Sequence, residues 1–242
     1  MARKIVSIYQ PCYLPPMHYI ERVLQSDVFV LLDDVQLNRR VGQAKANIAG
    51  RQGKITLTVP IAGGNRVMLN EAQWVDDGWR EKHIRTLKMA YGYKEGTRAH
   101  KYISWVERKL TWCSGYSRSF SWLCDTMLKD ILAELGWSGE YYVASRDEVI
   151  RGTKGIDPSS RMLEITSALG GTTYLCGEVA AKQYLDLDEF KKRGIDVAVQ
   201  RWKPPVYEQR CKEFQPNLSV IDALIMVGPQ QVVSMFGEEH HE

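Results

Sequence analysis

The sequence predicts an α/β fold built on a mainly parallel, Rossmann-like sheet with a helical insertion, and three observations carry that prediction. Short apolar runs alternate with helix-length segments at both ends of the chain. The first two runs, residues 5–9 and 28–32, are separated by one helical segment, the arrangement of a right-handed strand–helix–strand crossover. Both runs end in polar residues, Gln10 on the first and Asp33, Asp34 and Gln36 on the second. That is the edge at which open α/β sheets hold their ligands.

The elements follow in order. Ile-Val-Ser-Ile-Tyr at 5–9 stops at the proline turn that opens with Gln10-Pro11, so it reads as a buried strand. Residues 18–25 carry Tyr19, Ile20, Val23 and Leu24 at helical spacing. Residues 28–32 are a second buried strand. A polar, glycine-punctuated loop is expected over 36–54, then a third strand over 55–59 closed by Pro60. Three helices are expected near 79–90, 100–112 and 117–135. The last is the clearest, with Phe120, Leu123, Met127, Leu128, Ile131, Leu132 and Leu135 on one stripe and Gly136 at the C-cap position. Alternation then resumes with a strand at 141–145 and a helix opened by Asp157-Pro158 that stops at Gly170-Gly171. A strand at 172–176, a mostly helical stretch at 178–192 and a strand at 195–199 follow. Ser219, with Asp222 three residues on, caps a final helix through Val227. The expected organisation is one α/β domain over 1–242 with a mainly helical insertion at about 79–136.

Composition sets bounds on function. Of 242 residues, 44% are hydrophobic and 25% charged, which is enough apolar mass for a full core. A formal net charge of +3 is too small for a dedicated nucleic-acid binder. Residues 35–54 nevertheless hold five basic side chains and no acid, and 78–110 hold nine against three acids. Such segments favour an anionic partner or form a solvated face. Five scattered cysteines without C-x-x-C spacing argue for a reducing compartment and against a disulfide framework or structural zinc. No apolar run approaches membrane-spanning length, so a cytoplasmic protein with no membrane partner is expected.

Gln10-Pro-x-Tyr13-Leu-Pro15, the run from Ser26 to Gln36, Leu57-Thr-Val-Pro60, Tyr174-Leu-Cys-Gly177, Tyr184-Leu-Asp186, and Phe214-x-Pro-Asn-Leu-Ser-Val-Ile-Asp222 followed by Gly228 form a further pattern. Together these segments resemble the WbqC-like family. The resemblance implies a place in bacterial O-antigen or other polysaccharide biosynthesis. It further implies a transferase that forms an amide bond by moving an aminoacyl or acyl group, glycyl among the candidates, onto an amino sugar or other amine. Three departures are expected to bear on substrate: Pro16-Met-His18-Tyr19 after Leu14-Pro15, the altered basic loop containing Arg39-Arg40 and Lys45, and Ile55 where the family has tryptophan. A second, fold-level likeness is to nucleotidyltransferases and class I synthetases, with Ser159-Ser160-Arg161 at a helix start in place of their later phosphate-binding segment.

The candidate site follows from residue chemistry. Asp33 and Asp34 are adjacent, so on an extended backbone they diverge and form no dyad. One is expected to serve as base or Mg²⁺ ligand while the other holds Arg39 or a backbone amide; alternatively both are turn residues. His83 is a general-base candidate, set against the commoner role of packing a helix edge. Gln10, Tyr13, Gln36, Cys176 and Gly177 are substrate-binding candidates, with Gly177 marking close backbone approach to the ligand. Arg39 and Arg40 are candidates for phosphate, or a solvated loop. Cys12 reads more readily as an inert thiol than as an acyl carrier. The partners this allows are an amine acceptor, a nucleotide-sugar and tRNA, with ATP and Mg²⁺ or an aminoacyl-tRNA as activated donor and no resident metal site. Two other functions stay open: nucleotidyl transfer or adenylate formation, and a non-catalytic nucleotide-sugar-binding scaffold.

Overall fold

The structure is a computed structural model that describes residues 2–38, 42–63, 67–76 and 78–236. The strands in chain order are β1 (Ile5–Tyr9), β2 (Val28–Leu31), β3 (Lys45–Gly50), β4 (Gly53–Thr58), β5 (Glu140–Val143), β6 (Thr173–Gly177) and β7 (Asp196–Gln200). The helices are α1 (Met17–Leu24), α2 (Trp79–Tyr91), α3 (Arg98–Tyr116), α4 (Phe120–Glu134), α5 (Glu148–Arg151), α6 (Pro158–Ala168), α7 (Glu178–Gln183), α8 (Leu187–Lys192), α9 (Val220–Met226) and α10 (Pro229–Phe236). The chain divides into two compact units. Unit 1 is Met1–Gln10, Tyr19–Val35 and Trp137–Lys203; unit 2 is Pro11–His18, Gln36–Gly136 and Pro204–Glu242, and the expected insertion at about 79–136 falls within it.

Unit 1 is a Rossmann-like α/β unit. Its five-stranded sheet runs in the order β5-β2-β1-β6-β7, and every neighbouring pair is parallel. The chain starts at the centre, builds outward through β2 and β5, then returns to the other side of β1 for β6 and β7. The strand order therefore reverses between β1 and β6. Strand β2 reads Val-Phe-Val-Leu and is buried throughout, as a parallel strand covered on both faces must be. On one face Val6, Ile8, Val28, Val30, Tyr174 and Cys176 pack with Ile150, Met162, Leu163, Ile165 and Phe190 from α5, α6 and α8. On the other, Tyr19 of α1 meets Tyr9 at 4.2 Å and Phe29 at 6.0 Å between ring centroids.

Caps set the helix boundaries. Asp157 accepts from the amides of Ser159 and Ser160, and Pro158 opens α6, as the sequence predicts. The mostly helical stretch expected over 178–192 is α7 and α8, divided where the Asp186 carboxylate takes the amides of Asp188 and Glu189 and restarts the helix.

Unit 2 holds a separate antiparallel hairpin of β3 and β4 beside the helices α2, α3, α4, α9 and α10. The third expected strand thus pairs as β4 with a strand inside the expected 36–54 loop, not with the parallel sheet. Strand β3 escapes recognition because Lys-Ala-Asn-Ile-Ala-Gly has one β-branched residue. Gly50 pairs with Gly53 across the turn, and a Cβ at Gly50 would come within 2.4 Å of Ile55 Cδ1. The predicted stripe of α4 is buried. Helix α10 lies beyond the last helix that the sequence predicts.

A buried carboxylate ties unit 2 together. Asp222 in α9 is fully buried. Its oxygens accept from the phenol of Tyr91, the phenol of Tyr207 at 2.9 Å and the amide of Ala49 at 2.7 Å. One side chain thereby joins the end of α2, the segment before α9 and strand β3. Burial raises the Asp222 pKa above the ordinary carboxylate value, against the hydrogen bonds, which lower it. Among the described residues no helix is long and apolar enough to cross a membrane.

Candidate functional site

The carboxyl edge of the unit 1 sheet gathers most of the polar strand ends. Tyr9 is in register with Leu31, and the Leu32 amide donates to the Tyr9 carbonyl at 2.8 Å, which sets Gln10 beside the start of the Asp33-Asp34 segment. On the other side Ser7 is in register with Leu175, so Cys176 and Gly177 end β6 beside the end of β1. Gln10, Asp33, Asp34, Cys176 and Gly177 therefore lie along one edge, across the reversal of strand order. Doubly wound sheets leave a crevice at that point.

The two aspartates diverge, as adjacency requires, and each has its own partner. Asp33 accepts from the amide of Ser145 at 2.8 Å on one oxygen and from the Ser145 hydroxyl at 2.7 Å on the other. Asp34 accepts from Nη2 of Arg161 on both oxygens, at 2.8 and 2.7 Å. Arg161 also donates through Nε to the Thr153 hydroxyl at 3.2 Å, so its guanidinium is buried and held by three hydrogen bonds. Asp34 thus holds Arg161, from the segment likened to a phosphate-binding helix start, while Asp33 holds a backbone amide. Ser159 of that segment accepts from the Asp186 amide at 2.8 Å.

Cys176 points into the core beneath the edge, where burial raises its thiol pKa while nearby Arg22 lowers it. Gly177 has a tighter constraint: a Cβ there would lie 2.5 Å from Nη2 of Arg22. A guanidinium therefore approaches this glycine closely. Arg22 also stands over the ring of Tyr9, 4.6 Å from its centroid, and donates to Oε1 of Gln200 at 2.9 and 2.7 Å. The Gln200 amide nitrogen donates in turn to the buried carboxylate of Glu21. Tyr9, Glu21, Arg22 and Gln200 were not singled out from the sequence. Their signal was the Glu21-Arg22 pair inside an otherwise apolar helix, which reads as a solvated face.

Tyr13 and His83 come together in unit 2. The Tyr13 phenol lies 3.1 Å from Nδ1 of His83, and the Trp79 ring meets both edge-on, at 6.0 and 4.9 Å between centroids. All three side chains are buried. The loop that carries Tyr13 is strained: Leu14 has φ 40°, a left-handed conformation costly for a residue with a Cβ. Its carbonyl is held by the Ser219 hydroxyl at 2.7 Å. Burial pushes the Cys12 thiol up to about 12, which keeps it protonated and unreactive. His18, one of the departures from the family pattern, bonds through Nδ1 to Asn217 Oδ1 at 2.9 Å. Gln36 is exposed and bridges to Met68. Arg39 and Arg40 lie outside the described residues. Among the described residues no group of three or more His, Cys, Asp or Glu is arranged to hold a metal ion.

Comparison with known proteins places these features in a family. The chain is 24% identical over 230 residues to the uncharacterized protein Rv1507c of Mycobacterium tuberculosis (strain ATCC 25618 / H37Rv), covering 94% of this chain and 95% of that one. No solved structure matches the chain. The model of the WbqC-like protein family matches residues 10–234, from the glutamine that follows β1 to within α10. The chain belongs to the WbqC-like protein family.

Proposed function

We propose that the protein is a transferase that forms an amide, moving an activated aminoacyl or acyl group onto an amino sugar or similar amine, with its ligands held at the carboxyl edge of the unit 1 sheet. The observation that carries this reading is the alignment of Gln10, Asp33 and Gly177 across the strand-order reversal. Family membership supports the reaction class. Gln10 supplies both a donor and an acceptor to orient a polar substrate. Asp33, its carboxylate oriented by the Ser145 amide and hydroxyl, is the proton acceptor in unit 1. Asp34 acts by fixing the exit of β2 against α6 through Arg161. No step falls to His83, which lies in unit 2 with its Nδ1 3.1 Å from the Tyr13 phenol. The test is to incubate purified protein with glycyl-tRNA, an acyl-CoA, or ATP, Mg²⁺ and glycine, each with a panel of amino-sugar acceptors. The expected product is an acceptor heavier by one acyl group, and no transfer in any combination overturns the reading.

A second reading, nucleotidyl transfer, is favoured by the order β5-β2-β1-β6-β7, which matches that of dinucleotide-binding sheets. It predicts Mg²⁺-dependent pyrophosphate release from ATP or CTP without an amine. Absence of that release removes it.

A further inference from the structure

Two buried or half-buried arginines of unit 1 are used in different ways. Arg161 faces the carboxylate of Asp34, which neutralises it. Arg22 instead donates to the neutral amide of Gln200. A guanidinium has five N–H donors, and Gln200 takes Nε–H and one Nη2–H. Among the described residues Arg22 makes no ion pair, and its Nη1 group donates to none of them. The group is nevertheless held rigidly. Tyr9 lies against its face, Gln200 fixes its plane, and Glu21 fixes Gln200. Gly177 leaves the space in which Nη2 sits.

Position adds to this. Tyr9, Gly177 and Gln200 are the last residues of β1, β6 and β7, three adjacent strands. The guanidinium therefore stands over the strand-order reversal, within the electrostatic reach of Tyr184. Tyr184 lines a hollow of about 630 Å³ formed by the segment after β6, together with Lys182 and Asp186. A fixed, half-exposed cation with an unused planar fork suits bidentate recognition of an oxyanion.

We propose that Arg22 is the anion-binding residue of this edge, taking a phosphate or carboxylate group of the substrate on its Nη1 and remaining Nη2 donors. The assignment rests on reading the edge as the ligand site. Gly177 and Gln200 are positioning residues that hold the fork in place.

The test is calorimetric titration of the wild-type protein and of Arg22→Met, Arg22→Lys and Gly177→Ala, with inorganic pyrophosphate as the phosphate probe and glycine as the carboxylate probe. At least one anion is expected to bind wild type, and which one identifies the source. Arg22→Met is expected to weaken binding at least tenfold and Gly177→Ala to follow it, with Arg22→Lys intermediate because lysine keeps the charge and loses the fork. The melting temperature is read in parallel, and should Arg22→Met fail to fold, the lysine and alanine variants carry the comparison. Equal affinity in wild type and the Arg22 variants, or no binding of either anion to wild type, overturns the assignment. Binding is measured without turnover, so a protein that binds an anion through Arg22 and transfers nothing keeps this inference and loses the amide-forming reading.

Discussion

Unit 1 buries Asp34 against the guanidinium of Arg161, whereas unit 2 buries Asp222 against two phenols and a backbone amide. Both carboxylates are almost wholly removed from solvent. In the first case charge meets charge, and the cost of desolvating two ions is offset by their attraction and by paired hydrogen bonds. In the second, neutral donors stabilise the ion without cancelling it, and the folded state holds a proton on Asp222 more tightly than an exposed aspartate would. Unit 1 is thus sensitive to losing one partner, and unit 2 is sensitive to pH.

The largest effect expected from this contrast is in unit 1. Arg161→Met strands the Asp34 carboxylate and should cost about 3–5 kcal/mol in urea unfolding, with most of the loss recovered when Asp34→Leu is added. A single variant as stable as wild type would show that the pair is not buried as described.

In unit 2, Asp222→Ala leaves three donors without an acceptor. The expected loss is about 1–3 kcal/mol per orphaned group, less than additive, and Tyr207→Phe should lose a fraction of it. Urea midpoints that rank Tyr207→Phe below Asp222→Ala in stability would contradict the picture of one shared acceptor.

The pH effect is smaller and has a definite sign. Because the folded-state pKa of Asp222 is raised above its ordinary 3.8, its contribution is full below that value and is lost as pH rises through the folded value. The stability of wild type relative to Asp222→Asn should therefore fall as pH increases over that window. A difference that grows with pH would refute it. The smallest effect is expected at Ser145→Ala, which removes the hydroxyl from Asp33 but keeps the amide, at about 1 kcal/mol by thermal unfolding.

The parts of the fold that depend on apolar runs were legible in the sequence. Residues 5–9, 28–32 and 172–176 stand out as strands because a parallel sheet buries both faces, and their polar ends then locate Gln10, Asp33 and Gly177 at one edge. Strand β3 was hidden because tertiary pairing with β4 forms it against weak local preference. The split of α7 from α8 rests on one capping carboxylate at Asp186. Arg22 and Glu21 were hidden for another reason. On a short helix two neighbouring charges read as a face turned to water, and only the return of β6 and β7 to the far side of β1 supplies Gly177 and Gln200 as their surroundings.

Hydrogen–deuterium exchange with ATP, Mg²⁺ and glycine, and separately with glycyl-tRNA, tests most directly that ligands bind at the sheet edge of unit 1. New protection is expected, centred on the segments around Gln10, Gly177 and Gln200 and diminished in Arg22→Met. Protection confined to unit 2, with those three segments unchanged, would contradict it.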